Sequence, residues 1–361
     1  MGAELTVRLG ALAANYREVR RRAAPALAFP VVKANAYGLG VDHVAPTLAQ
    51  AGADTFFVAR IEEGVTLRAL LPSARIFVLD GLNATTAPAF LSRRLAPVLN
   101  SLDEIALWSE LGKRERRRLE AAVQIDSGMN RSGVSHSELA QLEPRLKQAL
   151  AGVDLKLVMS HLACADEPDH AMNRTQLERF RAALARLPSA PASLAASAGI
   201  ELGRDHLFDV VRPGMALYGG KPVPARPNPY RTVAILISRV LQLRRVDKGE
   251  TVGYGATFAA ARPTILATVA AGYADGLMRA NGGKGKALVG GVRVGFAGRI
   301  SMDLAALDVT EVPADMLAPG AEAEFLGESI ALDEVAQAAG TITHEVLTSI
   351  SPRAKRIYVE G

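Results

Sequence analysis

The chain has 361 residues, 49% hydrophobic and 22% charged, with a formal net charge of +5. Such a length predicts two domains, and the balance is that of a globular protein, excluding fibrous and disordered classes. A single cysteine, Cys164, excludes an intramolecular disulfide and fits a reducing compartment.

In chain order, the segment up to Arg22 carries Glu4 and Arg8 within it and has no unbroken apolar core, so it does not read as a secretory signal. Short apolar runs follow at Leu27–Val32, Thr55–Val58, Ile76–Leu79, Leu95–Leu99, Ala121–Ile125, Leu155–Met159 and Val210–Val211. Helix-patterned stretches lie between them, among them Leu9–Ala24, His43–Ala51, Ile61–Leu70 and Arg174–Leu187. This alternation predicts a parallel sheet wrapped by helices, most economically a (β/α)₈ barrel of the TIM type over residues 8–225. A doubly wound open sheet is the alternative, disfavoured because no Gly-x-Gly-x-x-Gly follows the first strand.

The basic runs Arg20–Arg22 and Lys113–Arg118 read as solvated helix faces, with steering of anions as the alternative. Neither is interleaved with aromatic residues, which argues against nucleic acid. Four prolines within Pro222–Pro229 mark an exposed linker. Beyond it, β-branched runs such as Val233–Val240, Thr251–Tyr254, Ile265–Ala270, Ala287–Val289 and Val292–Phe296 predict a mainly β domain over 226–361, with residues 1–7 able to pair with it. One late helix is expected at Leu332–Ala339. The most apolar stretch, Thr264–Gly272, is far too short to span a bilayer, so the reading is a cytoplasmic protein without a membrane partner.

Several residues stand where chemistry could sit. Lys33 ends the first apolar run and is followed at once by small residues, as a Schiff-base amine at a barrel mouth would be; a lysine pointing into water is the plain alternative. Tyr37 comes four residues later and also reads as a packing aromatic. Arg212 leaves an apolar strand and needs a partner if buried, and the turn after it, at Pro213 and Gly214, reads as exposing backbone N–H groups suited to a phosphate. Ser197 is a weaker phosphate contact, since serine in a small-residue loop usually satisfies backbone. Tyr254, between Gly253 and Gly255, reads by composition as a turn tyrosine, and His161 as a core histidine. No metal site is expected.

The strings containing these residues resemble alanine racemases, enzymes that carry pyridoxal 5′-phosphate (PLP). The match runs through Pro30–Gly40, Gln124–Arg131, Ser160–Ala163, Val211–Gly219, Val252–Phe258, Ala271–Gly276 and Gly298–Asp303, in family order over nearly the whole chain. The resemblance implies that Lys33 holds PLP and serves the D-enantiomer of alanine, and that Tyr254 is the second base, serving the L-enantiomer. It implies that Arg212 meets the pyridine nitrogen and that His161 links Tyr254 to Arg212. Tyr37, Ser197, Gly214 and Met215 would contact the cofactor. Arg131 would meet the substrate carboxylate or the cofactor phenolate oxygen and Met302 would donate to the carboxylate, with Tyr273, Asp275 and Asp303 at the entrance.

It further implies a homodimer in which Tyr254 and Met302 complete the partner's site, supplying D-alanine for peptidoglycan or catabolising it. A racemase of broader range, a PLP carrier with little catalysis, and a barrel decarboxylase are the rival readings. Two departures stand out. Gln124 replaces a lysine that many relatives carry as a carbamate, so no carbamate is expected, and its carboxamide is expected to bond Arg131 instead. Pro352 stands where some relatives place a tyrosine near the phosphate.

Overall fold

The computed structural model describes residues 2–360. Strand β1 (Glu4–Arg8) stands apart from the ring that follows it. β2 (Leu27–Ala28), β3 (Thr55–Val58), β4 (Arg75–Val78), β5 (Ala96–Leu99), β6 (Leu119–Gln124), β7 (Val153–Met159), β8 (Ala192–Ser193) and β9 (Val210–Val211) run parallel in chain order. β3 to β8 form one sheet, and β2 pairs with β9 through Leu27↔Val210 and Ala28↔Val211. Bridges at Val31↔Phe57 and Ala196↔Arg212 join the two pieces and close the eight-stranded barrel. All four residues of β3 are buried, as a strand covered on both faces requires.

The helices have local causes. Leu9–Ala23 buries Leu9, Leu12, Tyr16, Val19 and Ala23, a three-and-four spacing that places one stripe on the barrel, and its last turn carries Arg20, Arg21 and Arg22 at the negative end of the dipole. Leu102–Arg114 starts where the Ser101 hydroxyl accepts from Glu104 N and ends with Lys113 and Arg114. The second basic run is thus a helix C-terminus and an exposed turn, with Arg118 Nε donating to Val153 O at 2.8 Å.

The remaining strands are β10 (Ala234–Val246), β11 (Thr251–Val252), β12 (Phe258–Ala259), β13 (Thr264–Val269), β14 (Lys286–Val289), β15 (Val292–Phe296), β16 (Ala305–Asp308), β17 (Glu322–Leu326) and β18 (Lys355–Val359). The sheet order β13-β16-β15-β14-β17-β10-β1-β18 curls back because β10 pairs with β13 as well as β17. β1 lies antiparallel to β10 and parallel to β18. One contiguous core serves both halves; a small separate cluster of Val246, Ala260, Leu266 and Ala297 underlies the β11–β12 hairpin.

The structure departs from the expectations in three places. The seventh barrel strand, β8, coincides with none of the apolar runs expected as strands. A second late helix, Thr343–Thr348, follows Leu332–Ala339. The proline-rich segment is exposed over residues 224–228 as expected but docked at its start, where Pro222 and Val223 are buried, and Asn228 Nδ2 donates to Gly219 O at 2.8 Å. Met1 and Gly361, at the outer ends of the expected domain ranges, lie outside the described residues. Among the described residues no helix is long and apolar enough to cross a membrane.

Candidate active site

Lys33 emerges where the chain leaves β2 at the C-terminal end of the barrel, the end at which the strand-to-helix loops of such barrels gather. The next four residues do not form a right-handed turn. Ala34, Asn35, Ala36 and Tyr37 all have φ between 53° and 56°. For residues other than glycine and asparagine that conformation costs about 1–2 kcal/mol each. Glu63 helps to hold it: one carboxylate oxygen accepts from Ala34 N at 2.6 Å, the other from Ala59 N at 2.8 Å and Arg60 N at 3.1 Å. Burial, reinforced by Arg131, lowers the pKa of the Lys33 amine, while Glu63 and Asp80 oppose the shift. The balance moves the amine toward the neutral form that a nucleophile or base needs.

Arg212 leaves β9 fully buried. Its guanidinium donates to Ser193 O at 3.0 Å, to the Ser193 hydroxyl and to Ser160 O, and approaches His161 Nδ1 at 3.4 Å. Among the described residues no carboxylate pairs with it. Burial brings its pKa down to about 10, so it remains a cation at neutral pH. Burial, then the charge of Arg212, pushes His161 down to about 3. A guanidinium can only donate, so the facing Nδ1 must be the unprotonated nitrogen and Nε2 carries the hydrogen. Gln176 fixes this corner, donating to His161 O at 2.8 Å and accepting from Ala163 N at 2.8 Å.

Tyr37, Ser197 and Gly214 form a cradle. A Cβ on Gly214 would lie 2.2 Å from the Tyr37 hydroxyl, so only glycine permits this approach. Ser197 Oγ accepts from Gly214 N at 3.0 Å and Ala216 N at 3.2 Å. This corrects the expected set of free phosphate donors: Pro213 has no N–H, and that of Gly214 is engaged. Met215 N has no acceptor among the described residues. The Tyr37 ring packs against Tyr218 at 4.6 Å and His344 at 5.7 Å between centroids. His344, which the sequence reading missed, is held below its ordinary pKa by burial and by Lys33.

The other expected residues divide. Arg131 lies close enough to perturb Lys33 and His161. The expected bond from the Gln124 carboxamide to Arg131 is not formed; Gln124 Nε2 donates to Ser132 O at 3.0 Å instead. Tyr254 and Met302, 71% and 53% exposed, stand on the β domain and make no hydrogen bond to Lys33, His161 or Arg212 among the described residues. Gly272 packs on Met302 O, and Tyr273 N and Ala274 N donate to Ser301 O and Met302 O at 3.0 Å each. Gly255 packs against the guanidinium of Arg299. Asp275 does not line an entrance: it is buried, accepts from Gly272 N at 2.9 Å and pairs with Arg353 at 3.2 Å. Asp303 binds the same arginine at 2.8 Å.

Residues 7–222 match the family model for the alanine racemase N-terminal domain, and residues 233–358 that for the C-terminal domain. The chain belongs to the alanine racemase family. It is 47% identical over 360 residues to an alanine racemase of Methylobacterium nodulans, covering 100% of this chain and 97% of that one. It is 46% identical to a catabolic alanine racemase of Agrobacterium fabrum, covering 99% and 92%. Among solved structures, alanine racemase from Bartonella henselae, which has covalently bound pyridoxal phosphate, superposes with a TM-score of 0.95 at 39% identity, covering 99% of this chain and 100% of that one. The biosynthetic alanine racemase of Pseudomonas aeruginosa gives 0.90 at 36%, with 99% of each covered.

Proposed function

We propose that the chain interconverts L- and D-alanine at a site shared by two copies, with Lys33 as one base and Tyr254 of the partner subunit as the other. Membership of the family makes it a PLP-dependent amino-acid racemase acting on alanine. The residues present fit the cofactor: a partly buried amine with a lowered pKa, a buried guanidinium and a cradle that a single Cβ would fill. Bound at Lys33, the cofactor supplies an electron sink that acidifies the substrate α-hydrogen.

The protein's part is positional. Arg212 presents only donors, so it would hold the cofactor's ring nitrogen unprotonated, which would restrain electron withdrawal and favour return of the proton over transamination. Arg131 offers a fork for the substrate carboxylate, and Met302 N a further donor. Lys33 takes or returns the α-proton on the face that serves D-alanine. Inversion needs a second base on the opposite face, and Tyr254 would serve L-alanine there, with its phenol linked through His161 to Arg212.

The observation that carries this reading is the separation within one chain: Lys33 sits at the barrel mouth while Tyr254 and Met302 stand exposed on the β domain without a bond to it. A two-fold dimer would complete two such sites at once. The same chemistry serves D-alanine supply and its breakdown in the cytoplasm.

Mixing Lys33→Ala and Tyr254→Phe chains tests the arrangement. With shared sites, half of randomly exchanged dimers carry one intact site, restoring about a quarter of wild-type turnover from two inactive parents. If each site lies within one chain, the mixture stays inactive and the proposal fails. Alanine is expected to exceed serine, lysine and arginine in kcat/KM.

A further inference from the structure

The left-handed run Ala34–Tyr37 is unusual because little in its own sequence favours it. Asn35 tolerates the conformation, and its Oδ1 accepts from Val41 N at 2.8 Å, but the alanines and the tyrosine do not prefer it. Its internal bonds, Ala36 N to Val32 O at 2.9 Å and Gly38 N to Ala34 O at 2.8 Å, are available to ordinary turns as well. Contacts from outside the barrel make up the difference.

Arg356, on β18, places Nε and Nη2 on Gly38 O at 3.2 and 2.9 Å. Its other donors reach Ile350 O, Ser351 O and Ala354 O at 2.8–2.9 Å. It forms no ion pair among the described residues, so the guanidinium is spent wholly on backbone carbonyls. Tyr358, two residues further along the strand, donates to Leu39 O at 3.1 Å, and a Cβ on Gly40 would lie 2.1 Å from its hydroxyl. From the preceding helix, Leu347 O lies 2.8 Å from where a Cβ of Gly38 would be, at φ +85°. The turn is therefore gripped by Glu63 on the barrel side and by three residues near the end of the chain on the other.

We infer that Arg356 and Tyr358 are positioning residues for Lys33: they hold the left-handed turn that aims its amine, so the docking of β18 sets the geometry of a group more than 300 residues earlier. The inference rests on the reading of Lys33 as the amine that holds the cofactor. The charged and titratable groups facing that amine are Arg131, Glu63, Asp80, His161 and His344. Arg356 is not among them, and its donors end on carbonyls.

The test uses the full-length holoenzyme and its cofactor-free form, with Arg356→Met, Arg356→Lys and Tyr358→Phe. Hydrogen exchange at amides 34–40 should speed roughly tenfold or more in Arg356→Met, while β14 and β15 keep wild-type protection. The pH midpoint for PLP capture, trapped by borohydride reduction, should move upward as Lys33 gains solvent. Turnover should fall roughly tenfold in both directions, with KM for alanine changing less than about twofold, as misplacement of a reacting group requires. Arg356→Lys, which cannot serve four carbonyls, should recover only part of this, and Tyr358→Phe should show a smaller effect of the same kind.

Wild-type exchange at 34–40 and an unchanged capture midpoint, beside a lowered melting temperature, would overturn the inference. Should Arg356→Met fail to fold, the other two variants decide by the same readouts. Lys33→Ala separates the two readings. If it still captures PLP covalently, the assignment of Lys33 falls, whereas the exchange result speaks to the grip alone.

Discussion

Gly214→Ala puts the cofactor cradle under a measurable load. The new Cβ would meet the Tyr37 hydroxyl at 2.2 Å and its Cζ at 3.0 Å, so the phenol must retreat by about 1.2 Å to reach ordinary contact. Retreat is obstructed, because Tyr218 and His344 pack against the Tyr37 ring. Overpacking of this kind costs about 1–3 kcal/mol. Falling on the conformation that binds phosphate, it should weaken PLP binding by about 5- to 150-fold. The assay is the PLP dissociation constant, followed by cofactor absorbance, for wild type, Gly214→Ala, Tyr37→Phe and the double variant. Removing the hydroxyl deletes the closest contact, so the two changes should be non-additive, with coupling of about 1 kcal/mol. Additive effects, or wild-type affinity in Gly214→Ala, would refute the cradle.

Protonation gives a second prediction. His161 has its pKa lowered to about 3 from 6.5, so the folded state binds fewer protons than the unfolded chain between those values. Stability from this group is full above about pH 6.5 and lost as pH falls toward 3, by at most about 1.4 kcal/mol per unit. His206 and His344 shift in the same direction. Urea titrations should show a shallower acid slope in His161→Gln, and an unchanged slope would contradict the assignment. Gln124→Ala should cost about 1–2 kcal/mol through loss of the bond to Ser132 O, raising KM for alanine more than it lowers kcat. Mass spectrometry of the wild type should find residue 124 unmodified. Arg212→Gln should slow racemisation and increase pyruvate formed by side transamination, and a lower ratio of pyruvate to racemised alanine would contradict the role given to the guanidinium.

Much of this was legible in the sequence because local patterns reported it. Apolar runs such as Thr55–Val58 marked barrel strands, and Leu9–Ala23 showed its buried stripe directly. β8 was hidden because Ala192 and Ser193 carry almost no hydrophobic signal, and its place comes from pairing with β7. The turn after Lys33 was harder still. Its handedness is imposed by Glu63, which reads as an ordinary first-turn acid of the helix Ile61–Leu70, and by Arg356, which reads as a surface charge in a terminal strand. His344 belongs to no motif and gains meaning only where the helix Thr343–Thr348 meets Tyr37. The resemblance put Asp275 at the entrance with Tyr273, yet its carboxylate turns inward to Gly272 N and Arg353.

The lodging of β1 between β10 and β18 has a mechanical consequence. Were the backbone cut within the proline-rich segment, the two fragments would stay joined, because the amino-terminal one contributes a strand to the sheet of the other. The enzyme is clasped at its ends as well as linked in its middle. A force or denaturant that peels β18 from β1 would loosen the sheet and the lysine turn in the same event.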